Sequence, residues 1–153
     1  MSERQTVGND LLRAAARLTR WASRHASFDL PYAQARLLAL LDELGPARVS
    51  VLAEADHSSQ PAMTTALQRL EAQGLAQRRA DPDDARASLL ALTDHGRATL
   101  DRVRAARLAA LAPTLDGLED AEIARLRTGI DVMEDLLRRA AAVYPTPTTR
   151  KEP

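Results

Sequence analysis

The chain has 153 residues, no cysteine and a formal net charge of zero at pH 7. The missing cysteines exclude disulfides, thiolate metal sites and cysteine nucleophiles, and the six glycines form no phosphate-binding loop. Alanine is frequent and all but one of the 21 basic residues are arginine, which favours a mainly helical chain. The N-terminus lacks an apolar signal core and no run reaches the ~20 apolar residues of a membrane span, so we expect a cytoplasmic protein with no membrane partner.

The first predicted helix spans residues 5–25, where apolar residues recur at spacings of three and four. The same period recurs on another face in a row of arginines: Arg13, Arg17, Arg20 and Arg24. No acid interrupts residues 11–28. The row is therefore either an ordinary solvated face or a basic wall beside DNA or another anionic partner.

Three shorter helices are predicted next. Pro31 opens the second helix, which ends at Gly45 before a proline. A short helix follows with Ser50 as its expected N-cap. After a turn of small polar residues, Pro61 lies just inside another helix, which Gly74 terminates.

This helix before Gly74 has two contrasting faces. One is an apolar stripe that predicts burial, formed by Met63, Ala66, Leu67 and Leu70. The opposite face is short, neutral and rich in hydrogen-bonding groups: Pro61, Thr65, Gln68 and Ala72, flanked by Thr64 and Arg69. Such a face is typical of a helix that reads base edges in the major groove. The alternative for Thr65 and Gln68 is neutral filler.

A β-hairpin is predicted after Gly74, with strands over 76–79 and 88–92 and a turn-rich loop over 80–87. Arg86 in this loop is a candidate for the narrow minor groove. Arg78 and Arg79 either face DNA or are ordinary strand arginines. Asp81, Asp83 and Asp84 would repel phosphate, so a solvated acidic turn is the alternative for the loop.

Two long helices complete the chain. Thr93 is expected to cap a helix over 94–112 that breaks before Pro113, and the last helix starts near Glu119 or Asp120. Its apolar residues step by three and four, as in a coiled coil: Ile123, Leu126, Ile130, Met133 and Leu137. This seam predicts a homodimer, because a small lobe cannot cover it. The polar tail over 144–153 is expected to be disordered.

The histidines and aromatic residues raise the question of a ligand. His25, His57 and His95 match no metal-ligand spacing, so we expect neither a metal nor another cofactor. Three of the four aromatic residues, Trp21, Phe28 and Tyr32, cluster where the first helix gives way to the second. They either pack the core or line a site for a small aromatic ligand; the candidate residues are Trp21, His25, Tyr32 and Arg36.

The ordered motifs resemble the multiple antibiotic resistance regulator (MarR) family of winged-helix transcription factors. The matching runs are LPYAQARLLALLDELGPARVSVLAEA, HSSQPAMTTALQRLEAQGLAQRRADPDDARASLLALTDHGRATL and LEDAEIARLRTGIDVMEDLL. The most specific part is RLEAQGL, then R-x-D-P-D-D-x-R, then LT-x-x-GR, and the resemblance covers about residues 5–142.

The resemblance implies a homodimer held by the first helix and the last two, a recognition helix in the major groove and a wing at the minor groove. It also implies that Asp84 orients the wing-tip Arg86. Ala85 and Thr65 stand where the family often has basic residues. These departures predict weaker or more salt-sensitive DNA binding, or compensation by arginines elsewhere.

The sequence therefore predicts a mainly α protein with a small β-wing. Its expected parts are a dimerisation helix (1–30), a winged helix-turn-helix lobe (31–93), dimerisation helices (94–143) and a tail (144–153). The expected function is a ligand-responsive repressor, not an enzyme, that binds an inverted repeat in double-stranded DNA. The predicted DNA-binding residues are Ser59, Gln60, Pro61, Thr64, Thr65, Gln68, Arg69, Arg78, Arg79, Asp84 and Arg86.

Two other classes of function stay open. Zero net charge and the acidic hairpin loop are compatible with a winged helix that binds protein instead of DNA. A small helical enzyme with a site near Trp21, His25 and Tyr32 is the other alternative, although the sequence shows no nucleophile–base motif.

Overall fold

A computed structural model describes residues 2–144, so the expected disorder of the tail lies outside the described residues except for Tyr144. Six helices and one two-stranded sheet make up this part of the chain. In order, they are α1 Glu3–His25, α2 Tyr32–Leu44, α3 Val49–Ala55, α4 Gln60–Ala72, β1 Ala76–Ala80, β2 Ser88–Leu92, α5 Asp94–Leu115 and α6 Asp120–Val143. The predicted fold class, mainly α with a small β-wing, is confirmed.

One hydrophobic core joins α2, α3, α4, the hairpin and the start of α5. Its fully buried side chains are mostly leucines: Leu38, Leu41, Leu52, Leu67, Leu70, Leu90 and Leu100. Ala47, in the connection between α2 and α3, exchanges two backbone hydrogen bonds with Leu90 of β2, at 3.0 and 2.8 Å. The helix-turn-helix segment and the hairpin are therefore one packed lobe.

The junction between α4, the hairpin and α5 is tightly packed. Gly74 adopts a φ of 68°, a conformation that glycine adopts without strain, and this ends α4. The Thr93 hydroxyl donates to the Gly74 carbonyl at 2.6 Å and accepts from the Gly96 N–H at 2.9 Å. A Cβ on Gly96 would lie 1.9 Å from the Leu75 carbonyl oxygen, so only glycine fits there. Thr93 is the N-cap of α5, as predicted.

Two predicted helix boundaries are wrong. α3 begins at Val49 with Arg48 in the N-cap position, not with Ser50 as the cap. The backbone pairing of Ala47 with Leu90 ends one residue before Arg48. The chain can therefore enter the helix at Val49, earlier than Ser50 as the N-cap predicts. α5 does not break before Pro113 but continues to Leu115. Pro113 has no backbone N–H to donate, but it lies in the last turn, where few helical hydrogen bonds remain to be lost, so the helix continues past it.

Helices α1 and α6 leave much of their apolar surface uncovered. No residue of α6 is buried, and several large apolar side chains are exposed: Val7, Leu12, Leu18, Ile123, Leu126, Ile130 and Leu137. An apolar groove of about 510 Å³ lies between Leu11 of α1 and the α6 residues Leu126, Ile130 and Met133.

In contrast, α5 is tied to the lobe. The Asp42 carboxylate of α2 accepts from Arg97 at 3.1 Å and from Arg104 at 2.9 Å. None of the helices in residues 2–144 is long and apolar enough to cross a membrane.

Candidate nucleic-acid interface

Helix α4 presents the predicted polar face to solvent. Ser59 is its N-cap, and the side-chain oxygen accepts from the Ala62 N–H at 3.3 Å. Met63, Leu67 and Leu70 are buried and fix the rotation of the helix. The residues turned outward are Gln60, Pro61, Thr65, Gln68 and Arg69, with Thr64 half-buried beside them. Seven of the predicted DNA-binding residues are thus gathered along α4 and its cap.

The hydrogen-bonding capacity of this face is largely unused. Thr65 donates its hydroxyl to the Pro61 carbonyl at 3.1 Å and keeps its acceptor capacity. Within residues 2–144, the side chains of Gln68 and Arg69 make no hydrogen bond or ion pair. An amide that can donate and accept at once matches the N6 and N7 edge of adenine, and a guanidinium matches guanine or phosphate.

The two adjacent strand arginines have different surroundings. Arg78 pairs through Nε with Glu71 at 3.0 Å and donates through Nη1 to the Ser88 hydroxyl at 3.2 Å. It therefore braces the hairpin against the end of α4. Arg79 is exposed and lines a cavity of about 190 Å³ with Asp42 and Arg97. Of the two, Arg79 has the freer guanidinium.

The wing tip contains Asp84 and Arg86. The resemblance implies that Asp84 orients Arg86, and in the structure Asp84 does so through the backbone: its Oδ1 accepts from the Arg86 N–H at 3.0 Å, and within residues 2–144 the carboxylate makes no ion pair with the Arg86 guanidinium. The Arg86 side chain is exposed and makes no salt bridge within residues 2–144. Asp84 thus shapes the loop that carries Arg86 and leaves the cation available to an external anion.

The base of the wing contains an ion pair that sequence reasoning missed. Asp81, for which a solvated acidic turn is one of the two interpretations of the sequence, has a side chain only 1% exposed. Its Oδ1 accepts from the Asp83 N–H at 2.9 Å, and its Oδ2 accepts from Nε of Arg48 at 2.7 Å. The Asp83 N–H, together with Arg48, lowers the pKa of Asp81 below its ordinary value of 3.8, although burial acts in the opposite direction. Asp81 is therefore ionised at neutral pH.

The four candidate ligand residues do not line one common cavity. Trp21 and His25 stack, with ring centroids 4.5 Å apart, and His25 Nδ1 lies 2.8 Å from the Trp21 carbonyl oxygen. Arg36 instead pairs with Asp56 at 2.6 Å and lines a separate cavity of about 200 Å³ between α2 and α4. Tyr32 is exposed at the first turn of α2.

Trp21 borders a basic groove of about 550 Å³. Among the described residues it is lined from α1 alone, by Ala14, Arg17, Leu18, Arg20, Trp21 and Arg24. None of the four arginines in the predicted row makes a salt bridge within residues 2–144. No group of histidines and acids in that range could hold a metal ion.

Comparison with known proteins gives one family model and many similar structures. The MarR family model matches residues 30–88. A probable transcriptional regulator from Pseudomonas aeruginosa is 30% identical, with a TM-score of 0.51, and the alignment covers 83% of this chain and 96% of that one. A MarR family protein from Bacillus stearothermophilus is 23% identical, with a TM-score of 0.70 and coverage of 90% and 99%.

A third similar structure is that of MepR from Staphylococcus aureus, solved as a mutant bound to an oligodeoxyribonucleotide. It is 17% identical to this chain, with a TM-score of 0.59 and coverage of 86% of this chain and 97% of that one. No curated protein matches the sequence.

Proposed function

The chain belongs to the MarR family of transcriptional regulators, which are not enzymes, and we propose that it acts as a homodimeric, sequence-specific DNA-binding repressor. The observation that carries this proposal is the outward face of α4, where Gln68 and Arg69 are exposed beside a wing whose Arg86 has no salt bridge within residues 2–144. The DNA-bound state of MepR, a protein of the same fold, supports the same use of the lobe.

A second copy of this chain is the partner that the exposed helices require. An α6 helix with no buried residue is hard to reconcile with an isolated chain, because exposed apolar surface of this extent marks an association site. A two-fold dimer places its two recognition helices in successive major grooves about 10 bp apart. The proposed operator is therefore an inverted repeat with half-sites at that spacing.

The charge distribution supports local contact with DNA despite the zero net charge. Arg86 at the wing tip suits the negative potential of a narrow minor groove. The buried Asp81 is neutralised by Arg48, so it repels phosphate less than an exposed acid would. By counterion release, binding by few cations predicts a shallow dependence of affinity on salt. Of the expectations drawn from Ala85 and Thr65, weaker binding is therefore kept and greater salt sensitivity is not.

Gln68→Ala should weaken binding to the cognate operator by about 1–3 kcal/mol for each half-site and change binding to random DNA much less. The physical reason is the loss of an amide that reads a base edge from the exposed face of α4. Fluorescence anisotropy with operator and scrambled duplexes at fixed salt measures both affinities. Gln73→Ala, at the exposed C-cap of the same helix, is the matched control. An equal loss on both duplexes would contradict a role for Gln68 in reading bases.

A small aromatic anion is the proposed effector, bound in the groove beside Trp21. An aromatic wall with Arg17, Arg20 and Arg24 around it suits a planar carboxylate or phenolate. The ligand regulates only if its affinity differs between the DNA-bound and free geometries. Of the four earlier candidates only Trp21 lines this groove; His25, Tyr32 and Arg36 lie outside the set of residues that lines it.

Titration with salicylate-like and larger aromatic acids should quench the fluorescence of Trp21, the only tryptophan, and release DNA over the same concentration range. Arg20→Ala, matched with Arg4→Ala in the first turn of α1, should weaken the quenching selectively. Quenching without DNA release would show binding without regulation, and no response to the whole panel would contradict an effector at this groove.

The alternative function is a winged helix that binds protein, favoured only by the acidic loop and the zero net charge. If this alternative holds, substitution of Gln68 or Arg86 should not change the affinity of the protein for any DNA duplex. Selection of bound sequences from a random duplex pool, followed by the anisotropy assay, distinguishes the two functions.

A further inference from the structure

Arg48, which immediately precedes α3, forms an ion pair with Asp81 at the base of the wing. It stands in the N-cap position of α3, where it makes no side-chain cap hydrogen bond. Its guanidinium instead reaches Asp81, 33 positions along the chain, with Nε and Nη2 both on Oδ2. The arginine side chain is 32% exposed and the carboxylate 1% exposed, so the pair is shielded from water on the side of the acid.

The same guanidinium lies near the second acid that folds the wing. Nη2 of Arg48 is 3.9 Å from Oδ2 of Asp84. The two carboxylates in turn accept backbone N–H groups of the loop, Asp81 from Asp83 at 2.9 Å and Asp84 from Arg86 at 3.0 Å. A continuous network therefore runs from the start of α3 to the backbone of Arg86. We call these three side chains, Arg48, Asp81 and Asp84, the wing latch.

Outside the wing latch, two backbone hydrogen bonds close the loop in the described chain: the Asp81 N–H donates to the Ala87 carbonyl at 3.3 Å, and the Ala87 N–H donates to the Asp84 carbonyl at 3.0 Å. Pro82, Asp83, Ala85 and Arg86 are all exposed, and no residue of 81–87 belongs to the apolar core. A buried carboxylate is costly without its cationic partner, because its desolvation is then uncompensated. Loss of Arg48 would therefore allow Asp81 to move into water and would release the loop.

We propose that Arg48 is a positioning residue for DNA binding: through the wing latch it fixes the wing tip relative to α3 and α4, so that Arg86 meets DNA in register with the recognition helix. This inference rests on the proposed function. A preordered wing loses less conformational entropy on binding than a mobile one, and this difference raises affinity. Arg48 acts through the two aspartates and does not itself need to touch DNA.

Asp81→Asn gives a test in which positioning and simple electrostatics predict opposite signs. Removing an acid near phosphate should tighten DNA binding if only charge matters. If the wing latch positions Arg86, Asp81→Asn should weaken binding by about tenfold, in the range of couplings between groups in one network. Asp83→Asn is the matched control, because its carboxylate makes no hydrogen bond or ion pair within residues 2–144 and its backbone N–H is retained. It should bind like the parent or slightly tighter.

A double-mutant cycle between Arg48 and Arg86 separates positioning from direct contact. Arg48→Ala should weaken operator binding about tenfold in the parent and have almost no effect in an Arg86→Ala background, because the wing then has no cation to position. Equal losses in both backgrounds would show that Arg48 contacts DNA by itself and would overturn the proposal. Asp81→Asn binding as tightly as Asp83→Asn would also overturn it.

Amide hydrogen exchange in the DNA-free full chain tests the wing latch independently of the proposed function. Arg48→Ala and Asp81→Asn should speed exchange in peptides covering residues 81–87, while exchange in α4 and thermal unfolding of the lobe stay close to the parent. Asp83→Asn should leave exchange of the loop unchanged. Unchanged exchange in the Arg48 variant would overturn the proposal even if DNA binding were never detected.

Discussion

Ile130→Glu is expected to dissociate the proposed homodimer into monomers at micromolar concentration and to lower the midpoint of thermal unfolding. Ile130 lies on the apolar seam of α6 and is 48% exposed in the single chain, so a partner must cover it in a dimer. Placing a carboxylate in that apolar contact costs about several kcal/mol for each buried ion, and two-fold symmetry applies the cost twice. Analytical ultracentrifugation measures the shift in mass directly.

Thr128→Glu provides the matched control for this substitution. Thr128 occupies the opposite side of α6, is exposed, and donates its hydroxyl to the Ala124 carbonyl at 3.0 Å. The same added charge at that position should leave the dimer intact. If both variants remain dimeric, the seam is not the interface. If both dissociate, the effect comes from net charge and not from the apolar face.

The helices and the hairpin could be predicted because their signals are local. The apolar stripe of α4 and the turn-rich loop of the hairpin are each visible within about a dozen residues. Of the two wrong boundaries, the start of α3 depends on a distant contact. The start of α3 follows from the bridge between Ala47 and Leu90, more than forty positions apart, and no local rule for Ser50 contains that information.

The candidate site likewise contains features that local sequence predicts and one that depends on distant contacts. The outward polar face of α4 follows from helical geometry once its buried stripe is known, and the stack of Trp21 on His25 is a neighbouring pair one turn apart. The wing latch could not be predicted, because Arg48 and Asp81 meet only after β1 and β2 have packed on the helices. The sequence shows three acids in one loop and cannot say which of them becomes buried.

Ion pairing explains how a chain with no net charge can still present free cations. Many arginines are matched by nearby acids, as in Arg78 with Glu71 and Arg36 with Asp56. Within residues 2–144 the cations left without a salt bridge include Arg69 and Arg86 on the α4 and wing face and the basic row of α1. Net charge alone therefore underestimates the local positive potential of these two regions.

Arg86→Ala should cause the largest loss of DNA affinity among substitutions in the wing. The guanidinium is exposed at the tip without a salt bridge within residues 2–144, while the backbone N–H is held by Asp84, so the cation is presented on an ordered loop. A lost minor-groove or phosphate contact costs about 1 kcal/mol or more for each wing. The symmetric dimer then loses about 2 kcal/mol or more, roughly thirtyfold in affinity.

Salt titration shows why the affinity falls. Arg86→Ala should also reduce the slope of log affinity against log salt by about one for each wing. Asp84→Ala should weaken binding less and keep the slope, because it removes the loop hydrogen bond but leaves the cation. Arg86→Lys should retain the slope and lose part of the affinity, since an ammonium is more strongly hydrated than a guanidinium and fits a narrow groove less well. If Arg86→Ala binds the operator like the parent at physiological salt, the wing does not contact DNA, and recognition would rest on α4 alone.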